Sequence, residues 1–294
     1  MKNNISIAII GSINLDIVAH VKNFPQPGET ITNAVVKRFP GGKGANQALA
    51  AHRLGASVFM VGRVGDDPVA DEALHTLRLE GVDLSYCKPL DNVSTGLAMI
   101  AVNESGENQI IVAPGANAAF DAEHLEVPNT DASIAQLEVP METILKAARN
   151  RENFFCLNAA PAKPVPHELL EHVDLLVVNE IEALALGEEL ESYHGLLAST
   201  YGAQGAVLSR NGQEIAKARP PKVEVVDTTG AGDAFTAALT VALVSGMQPQ
   251  AALERACVVG ALTTTKMGAQ SSPNQVEVQQ KIRFAELLLD PSHY

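Results

Sequence analysis

The sequence predicts an α/β fold: a central, mostly parallel sheet with helices on both faces, plus a small second β-sheet. Three observations carry this. Short, continuous apolar runs recur at residues 5–10, 154–158, 174–179 and 205–209, as expected of strands buried on both faces of a parallel sheet. Ala/Leu-rich segments of helical length at 45–54, 71–79, 231–244 and 250–263 alternate with or follow them, and strand–helix alternation argues layered α/β architecture. Residues 30–39 and 96–112 break the pattern and read as strands of an exposed sheet.

Taken in order, "ISIAII" is the first buried strand, followed by "GSINLDIV". This segment ends the apolar strand, and period-two alternation puts Asn14 and Asp16 on one side of its end. A carboxylate accepts two O–H bonds, so this pair suits neighbouring hydroxyls, although Asn and Asp also simply favour turns. Gly55, Gly81 and Gly246 each follow a helical segment and suit the left-handed position that ends a helix. "LAMIAV", "NESGEN" and "QIIV" form a hairpin signal. Residues 14–39 and 96–112 together build the small sheet, which is a lid over a site, a dimer surface, or extra edge strands. Neither repeats nor a low-complexity linker divide the chain, and residues 1–294 read as a single domain.

Composition bounds the function. With 294 residues, 46% of them hydrophobic, the chain buries a large core. A net charge of -13 makes it a poor binder of phosphate backbones, so no nucleic-acid partner is expected, and an anionic ligand needs a local positive field. Three cysteines without metal-like spacing argue against a disulfide framework and for a reducing cytoplasm. No apolar stretch has membrane-spanning length, and "MKNN" runs straight into an apolar run too short for a secretory core, so neither membrane nor export is expected. The eight histidines include no H-E-x-x-H, which argues against zinc.

Two glycine-rich stretches carry the chemistry. In "DTTGAGDAF", Gly230, Ala231 and Gly232 let backbone approach a ligand where a helix starts. First-turn N–H groups and the helix dipole make such a start an anion site. Asp233 there is either a favourable helix-start charge or a base. A base beside an anion hole suits phosphoryl transfer to an alcohol. In "PGGKGANQALAAHRLGA", Gly41, Gly42 and Gly44 repeat the pattern, and Lys43 and Asn46 offer donors. Neither stretch completes G-x-x-x-x-G-K-[ST] or G-x-G-x-x-G.

With these motifs, the sequence resembles the ribokinase group of the PfkB-type family of sugar and nucleoside kinases, over nearly its whole length. "GGKGANQALAAHRLGA" with "VGRVGDD" is similar to the family's first signature and "DTTGAGDAFTAAL" to its second; "PGANAAF", "QLEVPMETI", "LNAAPAKP" and "VNEIEA" are similar to the ribokinase group. The resemblance implies an ATP-dependent kinase of the terminal hydroxyl of D-ribose. Another small sugar, a nucleoside, or a non-catalytic sugar-binding protein on the same fold remain alternatives. A composition of 4% aromatics with no Trp weighs against a nucleoside.

By resemblance, Asp233 is the base and Gly230, Ala231 and Gly232 are the anion hole. Asn14, Asp16, Gly42, Lys43, Asn46 and Glu138 match sugar-contacting positions. Asn179 and Glu182 match an N-x-x-E motif working with magnesium and phosphate. Asp227, Thr229, Thr263, Lys266, Gly268 and Ser272 match a potassium site, Lys266 through its backbone. A nucleotide loop of the form T-x-G-x-x-G is expected, and the reading assigns it to "SRNGQE", 209–214, with Ser209 at its start and Asn211 in place of a glycine; Cys257 falls near the adenine pocket. The resemblance also implies a homodimer formed through the lid.

Overall fold

The computed structural model describes residues 4–289; residues 1–3, where the N-terminal reading begins, and 290–294 lie outside the described residues. In chain order the elements are β1 (Ser6–Ile10), β2 (Asn14–His20), β3 (Val35–Gly41), α1 (Lys43–Arg53), β4 (Ser57–Gly65), α2 (Pro68–Glu80), β5 (Cys87–Leu90), β6 (Gly96–Val102), β7 (Asn108–Ala113), β8 (Ala132–Gln136), α3 (Met141–Arg149), β9 (Phe154–Asn158), α4 (His167–Leu170), β10 (Leu175–Asn179), α5 (Glu180–Leu186), α6 (Glu188–Glu191), β11 (Leu196–Thr200), β12 (Ala206–Arg210), β13 (Gln213–Ala218), α7 (Ala231–Val244), α8 (Pro249–Thr263) and α9 (Gln275–Leu289).

The nine-stranded sheet runs β13-β12-β11-β10-β9-β8-β1-β4-β5. From β11 to β5 every neighbouring pair is parallel. β1 shows why these strands read as continuous apolar runs. Ile7 and Ile9 join the core on the α1, α7 and α8 side, while Ala8 and Ile10 join the core on the α3 and α4 side. Every position of such a strand is interior, and burying each large side chain contributes about 1.5–3 kcal/mol.

The strand order reverses at β1. From there the chain moves to β4 and β5 on one side, and later through β8, β9, β10 and β11 on the other. Helices leave opposite faces at such a reversal, and a crevice opens beyond the carboxyl ends of the strands.

The run at 205–209 is a correction. It forms β12, which is antiparallel to both β11 and β13. The parallel strand on that side is β11, and its sequence LLAST is too mixed to stand out. β8, all five of whose residues are buried, is a further parallel strand beyond the four apolar runs. The helices at 45–54, 71–79, 231–244 and 250–263 appear within a few residues as α1, α2, α7 and α8. Gly55, Gly81 and Gly246 all take positive φ just past helix ends, as expected.

The second sheet has the order β3-β2-β6-β7. The hairpin β6–β7 is antiparallel, and Asn103 Oδ1 closes its turn by accepting the backbone N–H groups of Ser105 and Glu107. Asn14 and Asp16 begin β2 of this sheet and do not end a strand of the large one. Register puts Asp16, Ala98 and Val112 side by side on one face, and Ile17, Met99 and Ile111 on the other.

Candidate active site

The carboxyl ends of β1, β8, β9, β10 and β11 bring together Ser12, Glu138, Asn158, Asn179 and Thr200, each at or just past its strand. The starts of α1 and α7 face this row.

α7 begins at Gly230, whose φ of 77° favours glycine, and a Cβ there would lie 2.2 Å from the carbonyl oxygen of Ala269. No side chain caps the helix. The Ala231 N–H donates to Thr228 O at 3.3 Å. Gly232 and Asp233 therefore carry the first-turn N–H groups that have no carbonyl one turn back. This narrows the expected anion hole: Ala231 spends its donor on the turn. A Cβ at Gly232 would meet no atom within 4 Å, so the approach to these donors is open.

The Asp233 side chain is buried. Its Oδ2 accepts from Asn46 Nδ2 at 2.9 Å and its Oδ1 from Gln47 Nε2 at 3.1 Å, both from α1. Burial raises its pKa above the ordinary carboxylate value; Lys43 and the two amides work against that rise, and Glu138 adds to it. Asn46, expected at the sugar, spends its amide N–H on Asp233, while its Oδ1 has no partner among the described residues.

α1 starts differently. Gly42 (φ 88°) precedes it, and a Cβ there would lie 2.7 Å from the backbone N of Asn14. Glu138 Oε2 accepts from the Lys43 N–H at 3.2 Å and from Ser12 Oγ. Ser12 Oγ receives the Gly44 N–H at 3.4 Å, and Ser12 O receives the Ala45 N–H at 3.0 Å. The donors at this helix end are thus all used by the protein itself.

The Lys43 ammonium sits among four carboxylates. Asp233 raises its pKa most, opposed by burial, with Glu138, Glu182 and Asp16 adding to the rise. Asp16 is pushed up to about 7 by burial, then by Glu138 and Asp233, with Lys43 opposing. Asn117 holds the turn before β2: its Oδ1 accepts the Ile13 N–H at 2.9 Å, and its Nδ2 donates to Asn14 Oδ1 at 2.8 Å. Because Asn14 Oδ1 is so engaged, its Nδ2 is the group left to donate elsewhere.

Asn179 and Glu182 form a capping box at the start of α5. Asn179 Oδ1 accepts the Glu182 N–H at 2.9 Å, and Glu182 Oε2 accepts the Asn179 N–H at 2.8 Å. Glu182 is buried, which raises its pKa, and it interacts with Lys43 and Asp233. The N-x-x-E motif is thus a capping box at the strand end next to the open helix start.

The loop behind α7 gathers the expected cation residues. Asp227 Oδ1 accepts from the Thr229 N–H at 2.9 Å and its hydroxyl at 2.6 Å, and Oδ2 from the Gly268 N–H at 2.9 Å. Burial pushes Asp227 up, but these bonds outweigh it and hold the carboxyl below its ordinary range. Thr263 O accepts from Ser271 Oγ, and Ser272 O from Arg53. The Lys266 ammonium turns away to Glu277, leaving only its backbone for a ligand. Among the described residues no cluster of three His, Cys, Asp or Glu side chains could hold a metal.

The nucleotide loop is the main correction. Ser209 pairs with Leu197, and Arg210 with Leu196, so the Asn211 turn lies at the amino end of β11. Asn179 pairs with Thr200 at the other end of the same strand. Ser209 and Asn211 are therefore a strand length away from the site, although Asn211 does take left-handed backbone (φ 51°). The expected T-x-G-x-x-G stands intact at Thr200–Gly205, "TYGAQG", and turns at the carboxyl end of β11, with Gly202 and Gly205 both at positive φ. Cys257 lies within the core on α8, its thiol pushed up to about 12 by burial, and offers almost no surface to a ligand.

Sequence reasoning also missed Ser12, Gln47, Asn117, Gln136 and Asn158. The available signal was polarity at interior positions: Gln47 and Gln136 are fully buried amides next to motif residues.

A family model for the pfkB family carbohydrate kinases matches residues 4–276. The ribokinase of Bacillus subtilis (strain 168) is 39% identical over 290 residues, covering 94% of this chain and 98% of the relative. The crystal structure of ribokinase from Thermotoga maritima matches with a TM-score of 0.87 at 31% identity, covering 95% of this chain and 99% of that one. The structure of Arabidopsis thaliana ribokinase complexed with ribose and ATP matches with a TM-score of 0.85 at 29% identity, covering 95% and 99%. The chain belongs to the pfkB family of carbohydrate kinases.

Proposed function

We propose that this kinase transfers the γ-phosphoryl group of ATP to the terminal hydroxyl of D-ribose, giving ribose 5-phosphate and ADP. The observation that carries the reading is Asp233, buried in the first turn of α7 beside the open Gly232 and Asp233 N–H groups. Similarity to ribokinases, one of them complexed with ribose and ATP, supports the choice of substrates. Asp233 takes the hydroxyl proton, the freed oxygen attacks the γ-phosphorus, and the N–H groups hold the charge on the transferring group. Asn14, Asp16, Gly42 and Lys43 bind the sugar; Glu138 holds the Lys43 backbone, and Asn46 holds the Asp233 carboxylate beside it. ATP lies over Thr200–Gly205 and Asn179.

Glu182 is the carboxylate that would orient magnesium bound with ATP, and the ion would supply charge neutralisation at the phosphates. Potassium would suit the Asp227 loop, where one carboxylate, the Thr229 hydroxyl and nearby backbone carbonyls are the oxygen donors available to a singly charged cation. Its expected effect is faster turnover in potassium than in sodium at equal ionic strength; equal rates would remove it.

The chain acts as a single cytoplasmic domain whose small sheet is a lid and a dimer surface. Val35, Met99, Ile110, Ile111 and Val112 are all exposed, more apolar surface than a lone thin sheet hides. Light scattering at micromolar concentration is expected to give a dimer, and a monomer would refute that part. The main test is ADP release with ribose, deoxyribose, fructose and adenosine. The largest kcat/KM is expected for ribose; preference for another acceptor by tenfold or more would overturn the substrate.

A further inference from the structure

We infer that Gln47 is a positioning residue for phosphoryl transfer: with Gln136 behind it, it fixes the Asp233 carboxylate in one orientation. This rests on the reading of Asp233 as the base.

Gln47 follows Asn46 on α1 and is completely buried, as is Gln136 at the end of β8. Gln47 Nε2 donates to Asp233 Oδ1 and to Asn158 Oδ1, both at 3.1 Å. Its Oε1 accepts from Gln136 Nε2 at 2.6 Å. The direction of this chain follows from charge. A carboxylate can only accept, so Gln47 must turn its Nε2 toward Asp233. That turns its Oε1 toward Gln136, which must in turn present its own Nε2. Gln136 Oε1 is then left facing Gly11, and it has no partner among the described residues. A Cβ at position 11 would lie 1.9 Å from that oxygen, so this placement needs a residue without a side chain there.

An orphaned buried acceptor opposes folding. It is tolerated here because turning the Gln136 amide would set two carbonyl oxygens against each other, and the disturbance would pass through Gln47 to Asp233. The chain thus gives up hydrogen bonding at one end to secure a donor at the other. Its benefit is geometric. Asn46 alone holds Oδ2 and leaves the carboxylate free to pivot; a second donor on Oδ1 fixes its plane. Both amides are neutral, so they orient and stabilise the anion without competing with the substrate hydroxyl for a proton.

The test compares Gln47→Met, Gln136→Met and Asp233→Asn by pH–rate profiles with ribose and ATP, with circular dichroism and Tm recorded alongside. Methionine keeps the length and removes the donor. For Gln47→Met, kcat is expected to fall about tenfold. The acid limb of kcat/KM is expected to move up by about one pH unit, the size of one lost hydrogen bond to a charged group. KM for both substrates should stay within about twofold. Gln136→Met should shift the limb in the same direction by less, and it carries the test by itself where Gln47→Met does not fold. An Asp233→Asn enzyme that keeps more than about a tenth of kcat would overturn the base, and the inference with it. An inactive Asp233→Asn enzyme together with an unmoved acid limb in both methionine variants would overturn the inference alone and reduce Gln47 to packing.

Discussion

The two glycine-rich helix starts look alike in sequence and differ in what reaches them. Both α1 and α7 follow a glycine at positive φ, and neither has a local side-chain cap. At α1 a carboxylate from 95 residues away, Glu138, and the loop residue Ser12 occupy the first donors. At α7 nothing comparable arrives, and Gly232 and Asp233 keep theirs. A glycine-rich helix start is therefore only a possible anion site; tertiary contacts decide which one stays open. The closed end becomes a wall carrying Lys43 and the buried polar groups around it. The open end is where phosphate charge can settle.

The largest effect that sharpens this contrast is at the open end. Asp233→Asn is expected to lose about 10²–10⁴ in kcat, the span of a positioned base, while folding normally and still binding ribose. Stopped-assay kinetics with ribose titration check it, and a loss below tenfold would break the assignment.

The closed end should respond in stability. Glu138→Ala leaves the Lys43 N–H and the Ser12 hydroxyl without their acceptor, at a cost of about 1–3 kcal/mol. Thermal unfolding should show a clearly lower Tm. An unchanged Tm would mean that Glu138 does not close α1.

Asp16 lies across from the closed end and gives a pH signature. Its folded-state pKa of about 7 is above the ordinary 3.8. The fold therefore disfavours its ionisation. That cost is absent at pH values below the ordinary pKa, grows as pH rises through the window between the two values, and is full above the folded one. Asp16→Asn should match the parent in stability at acid pH and exceed it at pH well above 7, while raising KM for ribose. Sugar hydroxyls favour the ionised form, so the parent's KM should fall as pH rises toward and past 7. A parent KM flat across this range would contradict the raised pKa.

The smallest contrast compares two glycine substitutions. Gly42→Ala forces left-handed backbone on a side chain that would meet Asn14, and should lower Tm. Gly232→Ala finds open space in the first turn of a helix and should keep or slightly raise Tm while lowering kcat. Equal losses of Tm in both would erase the distinction.

Much of this was legible in the sequence. Strands buried on both faces announce themselves by unbroken apolar runs, as β1, β9 and β10 did, and the hairpin β6–β7 by its polar turn. β11 was not legible, because three of its five residues are only partly buried and its polarity is mixed. Without β11 the T-x-G-x-x-G expectation falls on 209–214, at the opposite end of that strand from Thr200. Asp233 and Lys43 could be picked out because charged residues beside glycines are conspicuous, and Asp16 because it interrupts an apolar strand in step with Asn14. Gln47 and Gln136 could not, since a buried amide is interpretable only once its partners, 186 and 89 residues distant from Gln47, are known.

The most direct measurement is an amide NMR titration of the deuterated, ¹⁵N-labelled protein with a non-hydrolysable ATP analogue and magnesium, without sugar. The Gly232 and Asp233 N–H resonances are expected to shift most, and those of Lys43, Gly44 and Ala45 to stay nearly in place. Large shifts at Lys43 to Ala45 with none at Gly232 and Asp233 would contradict the assignment of the open and closed helix ends.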